Sequence, residues 1–96
     1  MYARYIMLRL GPDSRALAER IADEAFPIYQ AQEGFKSVVF LADDPRGEHG
    51  SLSVWESRET AEKAIAALGS WLRQSYGARL QGPPETRMFE IYAPQR

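Results

Sequence analysis

Between Gly34 and Glu56 the chain reads GFKSVVFLADDPRGEHGSLSVWE, two apolar stretches joined by a Gly/Pro/Asp loop. Phe35, Val38, Val39, Phe40 and Leu41 fill the first stretch, and Leu52, Val54 and Trp55 the second. Both read as strands. Successive strand side chains point to opposite faces, so a strand with one wet face alternates apolar with polar residues. Here apolar residues fall on both faces. Any sheet built on this pair needs cover on both sides. What supplies the second cover, a partner chain or a ligand, is the functional question the sequence poses.

The 96 residues make one domain, spanning 1–96, since two separate cores are improbable at this length. An apolar fraction of 45% with 26% charged residues excludes intrinsic disorder. A formal net charge of -1, with acids and bases interspersed, gives no footprint for nucleic acid or an anionic membrane. No apolar run approaches the roughly 18 residues of a membrane span, and the N-terminus carries no signal-peptide pattern. Cysteine is absent, which excludes disulfides, thiolate nucleophiles and thiolate metal sites. The expected location is the cytoplasm.

Breakers and periodicity order the elements. Tyr2–Leu10 is a strand ended by Gly11-Pro12. Asp13 is placed to cap a helix whose stripe is Leu17, Ile21, Ala25 and Ile28. Pro27 predicts a kink or an early end, and Gly34 a left-handed turn. The central strands are about Phe35–Ala42 and Ser51–Glu56. Ser57 caps a second helix, with Glu59 in its first turn and Ala61, Ala64, Ile65, Leu68 and Leu72 as its stripe, ending near Gly77. After Gly82-Pro83-Pro84 comes a last strand, Thr86–Ala93. The order β-α-β-β-α-β with right-handed crossovers predicts an α+β, ferredoxin-like fold: a four-stranded antiparallel sheet with both helices on one face.

The other face is then bare. Strand phases assign Ile6, Leu8, Leu10, Leu52, Val54, Phe89 and Ile91 to the helix side. They leave Tyr5, Met7, Arg9, Ser53, Trp55, Met88 and Tyr92 on the open side, while the second strand is apolar both ways and has no assignable phase. Such a face is too apolar for water and too polar for a plain core. It reads either as a homodimer interface, with Arg9 paired to an acid such as Glu90, or as a pocket for a small aromatic molecule.

The run Gly34-Phe35-Lys36-Ser37, the loop Asp43-Asp44-Pro45-Arg46-Gly47 and Val54-Trp55-Glu56-Ser57 leading into a helix resemble the antibiotic biosynthesis monooxygenase-like domains of the dimeric α/β-barrel group. The resemblance covers nearly the whole chain in element order and length. It implies a homodimer through the open sheet face. For one branch of the family it also implies cofactor-free oxygenation of quinol-like aromatics, the substrate itself activating oxygen. A haem-degrading branch uses an Asn on the first strand, a Trp on the second helix and a His about ten residues beyond it. This chain has Trp71, but it has no Asn at all and Gln81 where the His would fall, so the haem reading is set aside and no cofactor is expected.

For the quinol chemistry, Tyr5, Trp55, Trp71, Tyr76, Arg87 and Tyr92 are the candidates for aromatic walls and phenol-positioning groups, with Arg9 or Arg87 to stabilise a phenolate. Met7, Ser53 and Met88 complete the face. Trp71 and Tyr76, five residues apart on a helix, are expected to face different ways, so that one at most lines a given pocket. No residue stands out as catalytic base. His49, the only histidine, sits between glycines and reads as a solvated turn residue, and no metal site is expected. Asp43, Asp44 and Glu48 are turn chemistry rather than a calcium loop. Two other readings stay open: a non-catalytic, small-molecule-binding or stress-related dimer, and a purely structural association module.

Overall fold

The computed structural model describes residues 1–94. Its elements are β1 (Tyr2–Arg9), α1 (Arg15–Ala31), β2 (Phe35–Asp43), a 3₁₀ turn over Asp44–Arg46, β3 (Glu48–Trp55), α2 (Arg58–Tyr76), a second 3₁₀ turn over Gly77–Arg79, and β4 (Glu85–Glu90). The strands form one antiparallel sheet in the order β2-β3-β1-β4, and both helices pack on one face. This is the expected βαββαβ arrangement. The sheet is open, with β2 and β4 as its edges.

Several boundaries differ from the expectation for local reasons. Asp13 does not cap α1. It takes a left-handed φ of 55°, and Ser14 is the N-cap, its hydroxyl donating back to the Gly11 carbonyl at 2.7 Å. Pro27 does not end the helix, which runs on to Ala31. The carbonyl left without a donor belongs to exposed Asp23, where water can satisfy it, while Ala25 and Tyr29 anchor the same turns in the core. β3 starts at Glu48, three residues earlier than predicted, and β4 ends at Glu90 instead of Ala93. The α2 start is as read: Ser57 and Thr60 form a reciprocal capping box.

The strand registers settle the facing. Arg4, Ile6 and Leu8 of β1 lie opposite Ser53, Ser51 and His49 of β3 and share the helix side with them. The phase read for β1 therefore holds, and those read for β3 and β4 are reversed. Ser53 and Trp55 point toward the helices, as does Met88, which pairs with Arg4. Leu52, Val54 and Phe89 stand on the open face beside Tyr5, Met7, Val39 and Leu41. The phase of β2 resists reading because a bulge between Phe35 and Ser37 slips one residue, placing Phe35 and Val38 on the same side.

Two apolar clusters fill the layer between helices and sheet. One gathers Leu8, Leu10, Leu17, Ile21, Leu72 and Tyr76, the other Ala25, Tyr29, Trp55, Ala61, Ala64 and Leu68. Gly50 lets β1 and β3 come together, since a Cβ there would overlap the Ile6 carbonyl oxygen. Gly50→Ala is expected to lower the unfolding free energy by about 1–3 kcal/mol through overpacking, read from urea denaturation.

Candidate functional site

The helices stand away from the sheet far enough to leave a cavity of about 160 Å³. Its floor is Arg4, Ile6, Leu8, His49 and Ser51 of the sheet. Tyr29 of α1 with Leu68 and Trp71 of α2 form the roof, and Phe40 of β2 closes one side. The cavity thus lies on the helix side, whereas the sequence pattern placed the pocket on the open face.

Three polar features stand in these apolar walls. Tyr29, 5% exposed, shares a 2.8 Å hydrogen bond with Ser51 Oγ. Burial raises its phenol pKa above the usual tyrosine value, with the Ser51 bond and the charge of Arg4 opposing in part. Its hydroxyl therefore stays protonated at neutral pH. Behind it, Tyr29, Phe35, Phe40 and Trp55 form an aromatic group with centroid separations of 5.6–6.3 Å. The indole N–H of Trp55 donates to Ser53 Oγ at 2.8 Å.

Arg4 is the second feature. It is 7% exposed, yet its guanidinium forms no ion pair or side-chain hydrogen bond among the described residues. Burial holds its pKa below the ordinary arginine value, and nearby Tyr29 works in the other direction.

His49 is the third, and it overturns the expectation of a solvated turn residue. It is 4% exposed, and among the described residues neither imidazole nitrogen has a hydrogen-bond partner. Asp44 Oδ1 stands 3.9 Å from Nε2, while Asp44 Oδ2 accepts from Arg15 Nη1 at 2.9 Å. A buried polar group without a partner costs about 1–3 kcal/mol, so its retention asks for a reason beyond packing. The signal available in the sequence was the single phase of His49, Ser51, Ser53 and Trp55. It becomes visible only when β3 is started at Glu48.

The residues singled out from the sequence divide between the two faces. Trp71 lines the cavity. Tyr76 does not, but its ring meets Trp71 edge-on at 5.8 Å, and its hydroxyl donates to Glu24 Oε1 at 2.6 Å. The two rings, expected to face apart, are in contact. Ser53, Trp55 and Met88 lie on the helix side behind the cavity wall. Tyr5, Met7, Arg9 and Arg87 lie across the sheet from it. Arg9 reaches Glu48 at 4.0 Å, not Glu90, and Arg87 sits 4.6 Å over the Phe89 ring. Both lie on the face away from the cavity, whereas Arg4 stands in its floor. Tyr92 is 86% exposed. Among the described residues no group of three or more His, Asp or Glu side chains gathers as for a metal, and no helix is long and apolar enough to cross a membrane.

Neither a family model nor a curated protein matches the chain. Solved structures do. A protein of unknown function from Nitrosomonas europaea superposes with a TM-score of 0.82 at 18% identity, over 99% of this chain and 92% of that one. A monooxygenase from Streptomyces coelicolor, solved with nanaomycin D, gives 0.76 at 16% identity over 99% and 90%. SnoaB, a cofactor-independent oxygenase from Streptomyces nogalater, gives 0.72 at 15% identity over 97% and 94%. At these identities the likeness speaks to architecture: the chain has the ferredoxin-like βαββαβ fold seen in the antibiotic biosynthesis monooxygenases.

Proposed function

We propose that the protein is a cytoplasmic homodimer that oxygenates a small aromatic, quinol-like compound without a cofactor, in the cavity between its helices and sheet. One observation carries this reading. An aromatic-walled cavity holds a buried cation, Arg4, and a buried imidazole, His49, neither with a side-chain hydrogen-bond partner among the described residues. The likeness to a cofactor-independent oxygenase supports it, and the apolar open face supports the dimer.

In this scheme His49 takes the phenol proton, and Arg4 with the Tyr29 hydroxyl stabilises the phenolate. The electron-rich ring passes an electron to O₂, and the two radicals combine to form a C–O bond. The O–O bond then breaks, water leaves and a carbonyl remains. One oxygen atom ends in the quinone and the other in water, and the substrate supplies all the electrons.

Oxygen uptake with a panel of naphthols and anthrones tests the proposal. The expected result is one O₂ consumed per quinone formed, with His49→Gln lowering kcat by about a hundredfold or more. Ligand binding without oxygen uptake would replace the oxygenase by a non-catalytic binding protein. Full activity in His49→Gln would remove the base from the scheme.

A further inference from the structure

The space around Arg4 does not end with the main cavity. A second recess, of about 280 Å³, opens beside α2 and shares Arg4, Ile6, Gly69 and Leu72 with the first. Among the described residues its lining holds two arginines, Arg4 and Arg73, and no Asp or Glu. Arg4 is more than nine-tenths buried, and neither arginine forms an ion pair among the described residues. The main cavity differs in this respect. The one acid in its lining among the described residues, Glu19, already accepts from Arg15 at 3.2 Å.

Gly69 marks the junction of the two spaces. Arg73 Nη1 lies 3.3 Å from the point a Cβ at this position would occupy. Glycine inside a helix is unfavourable relative to alanine. Here the missing side chain leaves room for the Arg73 guanidinium along the helix, toward the side on which Arg4 lies buried.

We infer that the recess receives a carboxylate carried by the aromatic ligand, with Arg4 as its buried anchor and Arg73 at its rim. The inference rests on the reading of the main cavity as an aromatic site and names the ligand class more closely, an aromatic carboxylate. A guanidinium presents a planar fork that matches a carboxylate with two parallel hydrogen bonds. Burying a cation without a counter-charge is unfavourable, and an entering anion relieves it. The remaining lining includes Ile65, Leu80 and Pro84, with Thr86 as the one hydroxyl. Such walls suit the two oxygens of a carboxylate better than the larger oxygen set of a phosphate.

Calorimetric titration under nitrogen with hydroxynaphthoate and its primary amide tests this. The pair has the same shape and differs in charge. The native protein is expected to bind the carboxylate about tenfold tighter than the amide, or more. Arg4→Gln should bring that ratio close to one, and Arg73→Gln should lower it severalfold. Should Arg4→Gln fail to fold, the exposed Arg73→Gln variant and the native ratio decide alone. Equal affinities in the native protein, or a ratio that neither variant alters, overturn the inference. Oxygen uptake is measured separately. Carboxylate preference without turnover removes the oxygenase and keeps the recess. Turnover of uncharged phenols without carboxylate preference does the reverse.

Discussion

Trp55→Ala is expected to lower the unfolding free energy by about 3–5 kcal/mol, the range for deleting a fully buried large aromatic side chain. Trp55 is 1% exposed, the largest of the fully buried side chains. It packs among Ala25, Tyr29, Ala61, Ala64 and Leu68, and the alanines offer little side chain to collapse into the space left behind. The truncation also strips Ser53 Oγ of the indole N–H that donates to it. Trp55→Phe should recover most of the loss, because the ring contacts with Tyr29 and Phe35 survive in part. Urea denaturation of the three proteins measures this. An unchanged midpoint in Trp55→Ala would mean that the residue stands in an open space, contrary to its place behind the cavity wall.

The second large effect concerns assembly. Leu52 pairs with Tyr5 on one side and Val39 on the other, at the centre of the open face. In the proposed homodimer a second copy covers this face. Leu52→Asp puts an unpaired carboxylate where two sheets meet, and the dissociation constant should rise by about two to three orders of magnitude. Sedimentation would show twice 10.9 kDa for the native protein and 10.9 kDa for the variant at micromolar concentration. The variant should keep its secondary structure, since in a single copy the substituted side chain faces water. A native protein that sediments as a monomer would refute the dimer.

The same two residues explain what was legible in the sequence. Turn glycines, the Ser57 cap and the helical stripes carried the element order, because each is a local signal. The facing of β3 was not local. The sequence pattern puts aliphatic Leu52 and Val54 toward the helices and leaves Ser53 and Trp55 on the open face. The chain instead buries Ser51 and His49 in the cavity floor and Ser53 behind it, and places Leu52 and Val54 on the open face. A rule that equates polarity with solvent inverts at such a site. Arg4 is illegible for the same reason: nothing in YARYIMLRL marks one arginine as buried and the other as exposed. For β2 the bulge near Lys36 broke the two-residue period itself.

The edge position of β2 has a further consequence, for solubility. The strand exposes Val39, Phe40 and Leu41, and among the described residues its outer backbone has no neighbour in the sheet. Apolar segments of high strand propensity on an edge recruit further strands and seed aggregates. Charged residues flank this one, Lys36 before it and Asp43-Asp44 after it, and act as gatekeepers against such growth. Charge repulsion of this kind fades with added salt. Salt that screens these charges is therefore expected to promote precipitation of the isolated subunit before it disturbs the fold.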